Sequence, residues 1–196
     1  MPAISVTLNG NLIAKVSTGN LNILSVRVSG DILADTFATI DFSGGRYEPD
    51  SESKHLIWLN EQVLQPNDQI EVSLHEQGET SLIGKTIEEL YPEPPQAHDE
   101  SITPEEIFSE LSQRKAVRSG FRFEIVTPTG EVLNSRTNPG DYCFGFTTIW
   151  NGKNPDRAKT WLTSNTLERI ALRENGSDHA RLTLQLGQSI FLRVCA

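Results

Sequence analysis

The chain has 196 residues, of which 37% are hydrophobic and 22% are charged, a composition too apolar for an intrinsically disordered protein. The net charge of −9 argues against nucleic acid and anionic membranes as partners, because both repel an acidic surface. No apolar run approaches the roughly 20 residues that span a bilayer. The N-terminal segment also lacks the basic and then apolar pattern of a secretory signal, so we expect a cytoplasmic protein.

The negative charge is unevenly distributed along the chain. Residues 1–91 carry −8, residues 92–103 carry −3 and residues 104–196 carry +2. An acidic surface attracts cationic partners and speeds their encounter. The acidity of the first half therefore has two interpretations: it keeps the protein soluble, or it forms a surface that binds a basic protein partner.

The N-terminal half reads as a series of short strands. Ile4, Val6 and Leu8 alternate with polar residues, and Asn9-Gly10 then supplies the turn residues of a tight hairpin. Further strand-like runs with intervening turn residues lie at 12–16, 21–29, 37–42, 55–59 and 69–75. Many short strands at regular spacing predict an antiparallel β-sandwich or barrel for residues 1–91.

A proline-rich stretch separates this half from the next. Pro92, Pro94 and Pro95 prevent a helix or a central strand from continuing. Thr103 is then placed as an N-cap and Glu106 as its capping-box partner, so a helix should begin at Pro104. We therefore predict an acidic all-β domain at 1–91, a linker at 92–103 and a small α+β domain at 104–196.

The second half mixes helical and strand patterns. After the first helix, strands are expected near 121–125, from Val132, and at 142–150. Asn165 with Glu168 suggests a second capping box, although residues 166–175 are also compatible with a strand. Residues 181–186 and 190–194 are predicted to form a hairpin about Gly187-Gln188.

No pattern assigns catalytic, cofactor-binding or metal-binding residues. The segment Gly78–Thr86 resembles a phosphate-binding loop, but five residues rather than four separate its glycines. The four histidines show no metal-ligand spacing. Cys143 and Cys195 lie in strand-like runs and are expected to be small apolar residues, although adjacent strands would allow them to pair.

Two groups of residues are candidates for binding. Trp150 and Trp161 flank a loop rich in Asn and Gly, which would expose them to a carbohydrate or peptide. A basic cluster follows the first helix of the second half, and domain docking explains it more simply than nucleic-acid binding. This cluster consists of Arg114, Lys115, Arg118 and Arg122.

Four segments in the first half of the sequence carry a family resemblance. They are VTLNGNLIA, LSVRVSGD, ATIDFSGG and GKTIEELYPE. Together they are similar to the opening domain of uncharacterised bacterial proteins over residues 4–93. The resemblance implies a bacterial origin and transfers no functional residue.

Three functions remain open at this stage. The first is a non-enzymatic interaction protein, such as an immunity protein or a secretion-associated adaptor, that binds a basic partner. The second is a carbohydrate- or peptide-binding module that uses the exposed tryptophans. The third is a hydrolase whose site assembles at the domain junction. The absence of catalytic motifs favours a protein that is not an enzyme.

Overall fold

The computed structural model describes residues 1–47, 53–93 and 103–195. In chain order its elements are β1 (Ala3–Leu8), β2 (Asn11–Ser17), β3 (Ile23–Asp31), β4 (Ala38–Arg46), β5 (Lys54–Leu64), β6 (Gln69–His75), α1 (Ile87–Leu90), α2 (Pro104–Gln113), β7 (Arg122–Val126), β8 (Val132–Arg136), β9 (Cys143–Asn151), β10 (Arg157–Asn165), α3 (Leu167–Ala171), β11 (Ser177–Gln185) and β12 (Gln188–Cys195).

The strands form two antiparallel sheets of six strands each. Sheet I has the order β2-β1-β6-β12-β7-β8, and sheet II has the order β11-β10-β9-β3-β4-β5. Both sheets contribute to one cluster of buried apolar side chains. Phe123 of sheet I packs edge-on against Phe144 of sheet II, with 4.9 Å between ring centroids. The expectation of a mainly β protein is confirmed, and the layering is that of a β-sandwich.

Strands from both sides of the proline-rich stretch share each sheet. In sheet I, β6 pairs with β12, and in sheet II, β3 pairs with β9. The predicted division into domains at 1–91 and 104–196, with a separate α+β unit, is therefore not confirmed. Prolines interrupt regular structure where they stand, but they do not restrict where later strands pair. Residues 94–102 of the predicted linker lie outside the described residues.

The first hairpin forms as its sequence predicts. Asn9 and Gly10 have φ angles of 52° and 79°, the left-handed values that a type I′ turn requires at both central positions. The turn joins β1 to β2, with Leu8 opposite Asn11. Ile4 and Val6 consequently lie in the core.

The helix start at Pro104 is also confirmed. The Thr103 hydroxyl accepts a hydrogen bond from the Glu106 amide at 3.2 Å, and the Glu106 carboxylate accepts one from the Thr103 amide at 2.7 Å. Residues 166–175 contain the short helix α3, but its N-cap is Thr166 instead of Asn165. The Thr166 hydroxyl accepts from the Arg169 amide, so no capping box with Glu168 is needed.

The predicted hairpin about Gly187 is wrong. β11 belongs to sheet II and β12 to sheet I, so the chain crosses between the two sheets at this turn. Gly187 has the expected left-handed φ of 80°. Its amide donates to the Leu74 carbonyl of β6, which directs the following strand away from β11. The turn residues alone do not determine which strand β12 pairs with.

In the part of the chain that the structure describes, no helix has the length and apolar content needed to cross a bilayer.

Candidate functional site

Residues 79–93, here called the strap, run from one sheet to the other along one side of the sandwich. Near its start, Ser81 exchanges hydrogen bonds with the backbone of Lys15 on the edge strand β2. Further on, Lys85 and Ile57 of the edge strand β5 exchange two backbone hydrogen bonds of 2.8 and 2.9 Å. The strap thus satisfies backbone groups on the outermost strand of each sheet, which would otherwise be open to unwanted pairing.

The strap is a close-fitting cover over β5. A side-chain carbon added at Gly84 would lie 2.8 Å from the Trp58 indole nitrogen, so only glycine allows this approach. Trp58 in turn contacts Phe42 of the core, with 5.7 Å between ring centroids. Gly84 is accordingly explained by its close approach to Trp58, and Ser81 and Lys85 of the same segment are held by backbone hydrogen bonds to β2 and β5.

The outer surface of the strap combines apolar and acidic side chains. Ile83 is 93% exposed, and Ile87 and Tyr91 are 54% and 55% exposed. The same stretch contains four glutamates and one lysine, a net charge of −3. Hydrogen bonds from its own amide and the Thr86 hydroxyl lower the pKa of Glu88, so this carboxylate stays charged in mildly acidic solution.

The structure separates the two tryptophans that the sequence grouped together. Trp150 is 3% exposed and lies in the core, where its indole N–H donates to the Pro155 carbonyl at 3.1 Å. It is therefore unable to serve as an exposed platform. Trp161 is half-buried on the outer face of sheet II, because neighbouring residues Thr160 and Leu162 point into the core. Of these two tryptophans, only Trp161 is accessible to a ligand.

A cleft beside Trp161 is lined by basic side chains that the sequence reasoning missed. Lys153 comes from the loop between β9 and β10, Arg157 is the first residue of β10, and Lys159 lies two residues before Trp161 on the same face of β10. The cleft has a volume of about 230 Å³. The sequence signal was the occurrence of three cations within seven residues, next to the tryptophan already singled out.

The predicted basic cluster does not form a uniformly open cationic surface. Arg114 makes an ion pair with Glu110 one helical turn away. Arg118 donates to the backbone carbonyls of Asp31 and Asp35. Its guanidinium also lies 5.7 Å from the ring centroid of Phe37 and from that of Phe121. Lys115 and Arg122 are exposed, the latter on β7. Arg118 therefore holds a loop against the core, and its charge is used within the protein.

A row of polar side chains links the sheets at the opposite side of the sandwich from the strap. Ser135 of β8 bonds to His179 Nδ1 of β11 at 3.0 Å, and His179 Nε2 bonds to the Ser164 hydroxyl of β10 at 2.7 Å. Ser164 donates to the buried carboxylate of Asp141. Burial is the main cause that lowers the pKa of His179, so the neutral imidazole is favoured.

This row contains the residue types of a serine hydrolase in a different order. In such an enzyme the histidine lies between the acid and the serine, and the serine oxygen is open to substrate. Here Ser164 lies between Asp141 and His179, and it is 0% exposed. The geometry supports a structural role, in which the row joins edge strands β8 and β11 of the two sheets.

Neither cysteine is arranged for nucleophilic chemistry. Burial raises the pKa of Cys143 to about 11, with a further contribution from the Asp31 charge. A reactive cysteine needs a lowered pKa. Cys143 and Cys195 are both free and lie on strands of different sheets. Among residues 1–47, 53–93 and 103–195, no three Asp, Glu, His or Cys side chains come together as a metal-binding group.

A second histidine makes a polar contact on the outer face of sheet I. The Ser5 hydroxyl lies 2.7 Å from His75 Nε2, and Ser5 is 3% exposed. Burial lowers the pKa of His75, and the charge of Lys15 acts in the same direction. Because the serine oxygen is enclosed, this pair is a hydrogen bond between neighbouring strands and offers no open nucleophile.

The candidate sites are therefore the acidic and apolar strap on one side of the sandwich and the cationic cleft at Trp161 on the outer face of sheet II. No protein-family model, no curated protein and no solved structure matches this chain.

Proposed function

We propose that this protein is a non-enzymatic interaction protein and that its strap binds a basic protein partner. The observation that carries the proposal is the almost complete exposure of Ile83, at 93%, beside the half-exposed Ile87 and Tyr91. Scattered surface apolar residues are ordinary, whereas a group of large ones within a few residues marks interaction surfaces. The backbone contacts of the strap hold this group in place before a partner arrives.

The charge of the strap indicates the chemistry of that partner. With four glutamates and one lysine, the surface repels acidic proteins and attracts cationic ones. The best fit is a segment that presents Lys or Arg beside apolar side chains, as an amphipathic helix does. A basic toxin neutralised by an immunity protein and a basic segment carried by a secretion adaptor would both meet this description.

A synthetic amphipathic helical peptide tests the proposal directly. The probe carries leucines on one face and lysines on the other, and its control carries glutamines in place of the lysines. Affinity is measured by fluorescence anisotropy at 50 and 500 mM salt, concentrations chosen because screening lengths shorten strongly across this range. We expect the lysine peptide to bind more tightly and to lose affinity at high salt.

Variants of the strap locate the binding surface. The double substitution Ile83→Ser and Ile87→Ser should weaken the lysine peptide by about 10-fold or more, since interface anchors each contribute above ~1 kcal/mol. Val132→Ser is the matched control, because Val132 is 52% exposed on the distant edge strand β8. Equal losses in both variants, or binding that is insensitive to salt, would contradict the proposal.

A further inference from the structure

Two clefts flank the ring of Trp161 on the outer face of sheet II. The first, with a volume of about 230 Å³, lies towards the loop between β9 and β10. The second, with a volume of about 310 Å³, lies towards β11 and includes Arg181. Trp161 and Lys159 line both clefts. The first cleft is below, and the second at the lower end of, the roughly 300–1,000 Å³ range of pockets for drug-sized ligands, so together they suit consecutive small units of a longer ligand.

The first cleft is strongly cationic in an acidic protein. Lys153, Arg157 and Lys159 line it, and its remaining described lining residues are uncharged. In the second cleft, Arg181 is held by both carboxylate oxygens of Asp178. The surplus positive charge is therefore concentrated on one side of Trp161. Three cations around a space of this size favour an anionic group on the bound ligand.

The wall of the first cleft is fixed before any ligand arrives. The buried Trp150 donates to the Pro155 carbonyl, which ties the loop to the core. The Gly152 amide donates to the Asn22 carbonyl at 2.9 Å, and Arg157 donates to the Asn154 side chain at 2.8 Å. A rigid wall lowers the entropic cost of binding. The loop is thus a preformed part of the cleft.

We infer that the paired clefts at Trp161 bind an acidic polysaccharide. A sugar ring packs against the half-buried indole, and its carboxylate is held by Lys153, Arg157 and Lys159. The next sugar of the chain enters the second cleft. This site is additional to the strap: β10 and β5 are four strands apart in sheet II, roughly 19 Å at the usual strand spacing.

The geometry disfavours the other common anionic polymers. Proteins that bind single-stranded nucleic acid stack successive bases on several aromatic side chains, whereas Trp161 is the sole aromatic residue among the described residues lining either cleft. An extended acidic peptide would gain its affinity by adding a strand to a sheet edge. The cationic first cleft is lined by β9, β10 and the loop between them, inside the outermost strand β11, so a strand added at the sheet edge would not fill it.

Binding to polygalacturonate tests the inference. Affinity electrophoresis and calorimetry compare this polymer with its carboxyl-reduced form, with polyglutamate and with single-stranded oligothymidine. We expect tightest binding to polygalacturonate. Trp161→Ala and Lys159→Gln should each weaken it by about 10-fold. Trp161→Tyr, which keeps an aromatic ring, should retain most of the affinity. Lys115→Gln removes an exposed cation elsewhere and should leave binding unchanged.

Several results would overturn the inference. One is the absence of polygalacturonate binding by the intact protein, and another is equal binding of the carboxyl-reduced polymer. Equal or tighter binding of polyglutamate or oligothymidine would show that the site recognises charge alone. Unchanged affinity in both Trp161→Ala and Lys159→Gln would place binding elsewhere. The Ile83→Ser and Ile87→Ser variant should bind the polymer normally, which keeps this test separate from that of the strap.

Discussion

Phe144 offers a direct test of whether the two halves of the chain form one cooperative unit. Its side chain is 1% exposed and makes edge-on contacts with Phe121 and Phe123, at centroid distances of 4.6 and 4.9 Å. Phe144 belongs to sheet II, while Phe123 belongs to sheet I. Phe144→Ala therefore removes a buried contact between the two sheets.

The expected loss of stability follows from the contacts removed. Phe→Ala substitutions in cores cost about 3–5 kcal/mol, and each lost aromatic pair contributes about 0.5–1.5 kcal/mol. Measured Phe→Ala costs already include lost ring contacts, so we expect Phe144→Ala to fall near the middle of that range, at about 4 kcal/mol. For a chain of this size the change corresponds to a melting temperature lowered by roughly 8–16 °C.

Hydrogen exchange of the backbone amides measures which strands lose stability in Phe144→Ala. Because β1 and β6 share sheet I with β7 and β12, amides from both halves should lose protection by the same amount in Phe144→Ala. Val132→Ala, at a half-exposed edge position, should change stability by less than about 0.5 kcal/mol. Wild-type protection in β1–β6 alongside faster exchange in β7–β12 would refute the single cooperative unit.

Two further predictions concern titratable groups. Burial lowers the pKa of His179, so the unfolded chain takes up the proton first as the pH falls below about 6.5, and stability should decline between pH 7 and pH 5. His179→Gln should reduce this decline, measured by urea unfolding; an unaltered pH dependence would contradict the reasoning. With its pKa raised from 9.0 to about 11, Cys143 should react with iodoacetamide at pH 8 about 100-fold more slowly than in the unfolded chain. Equal rates in the folded and unfolded protein would show that the thiol is not protected.

Local structure was predicted well wherever a few neighbouring residues determine it. Asn9-Gly10 specifies its turn through φ angles that few other pairs adopt. Thr103 and Glu106 specify a helix start through two reciprocal hydrogen bonds. These signals act within four residues, so they do not depend on the tertiary structure around them.

Strand β10 escaped the sequence analysis because half of its buried positions are polar. Thr160 and Ser164 are 2% and 0% exposed, which hides the usual alternation of apolar and polar residues. Thr160 is satisfied by a hydrogen bond of 2.9 Å to the buried Thr148 hydroxyl on β9. A hydroxyl pair of this kind becomes recognisable only when the partner strand is known.

The single core was not predictable for a related reason. The residue pattern of 1–91 predicts strands, but it does not identify the partner with which each strand pairs. The proline-rich connection that follows suggests a domain boundary. Val26 lies opposite Phe42 of the first half on one side and Thr148 of the second half on the other. The shared core thus arises from contacts between residues distant in sequence. The cations beside Trp161, in contrast, lie within eight residues of it in sequence.

The position of β12 has a consequence for synthesis on the ribosome. This strand, the final one described, sits between β6 and β7 in the middle of sheet I. Until it emerges from the exit tunnel, β6 and β7 each lack a neighbour, and their open edges are available to other nascent chains. Sheet I is therefore completed only after translation of residues 188–195, so premature termination before Gly187 should yield insoluble fragments and not a smaller folded protein.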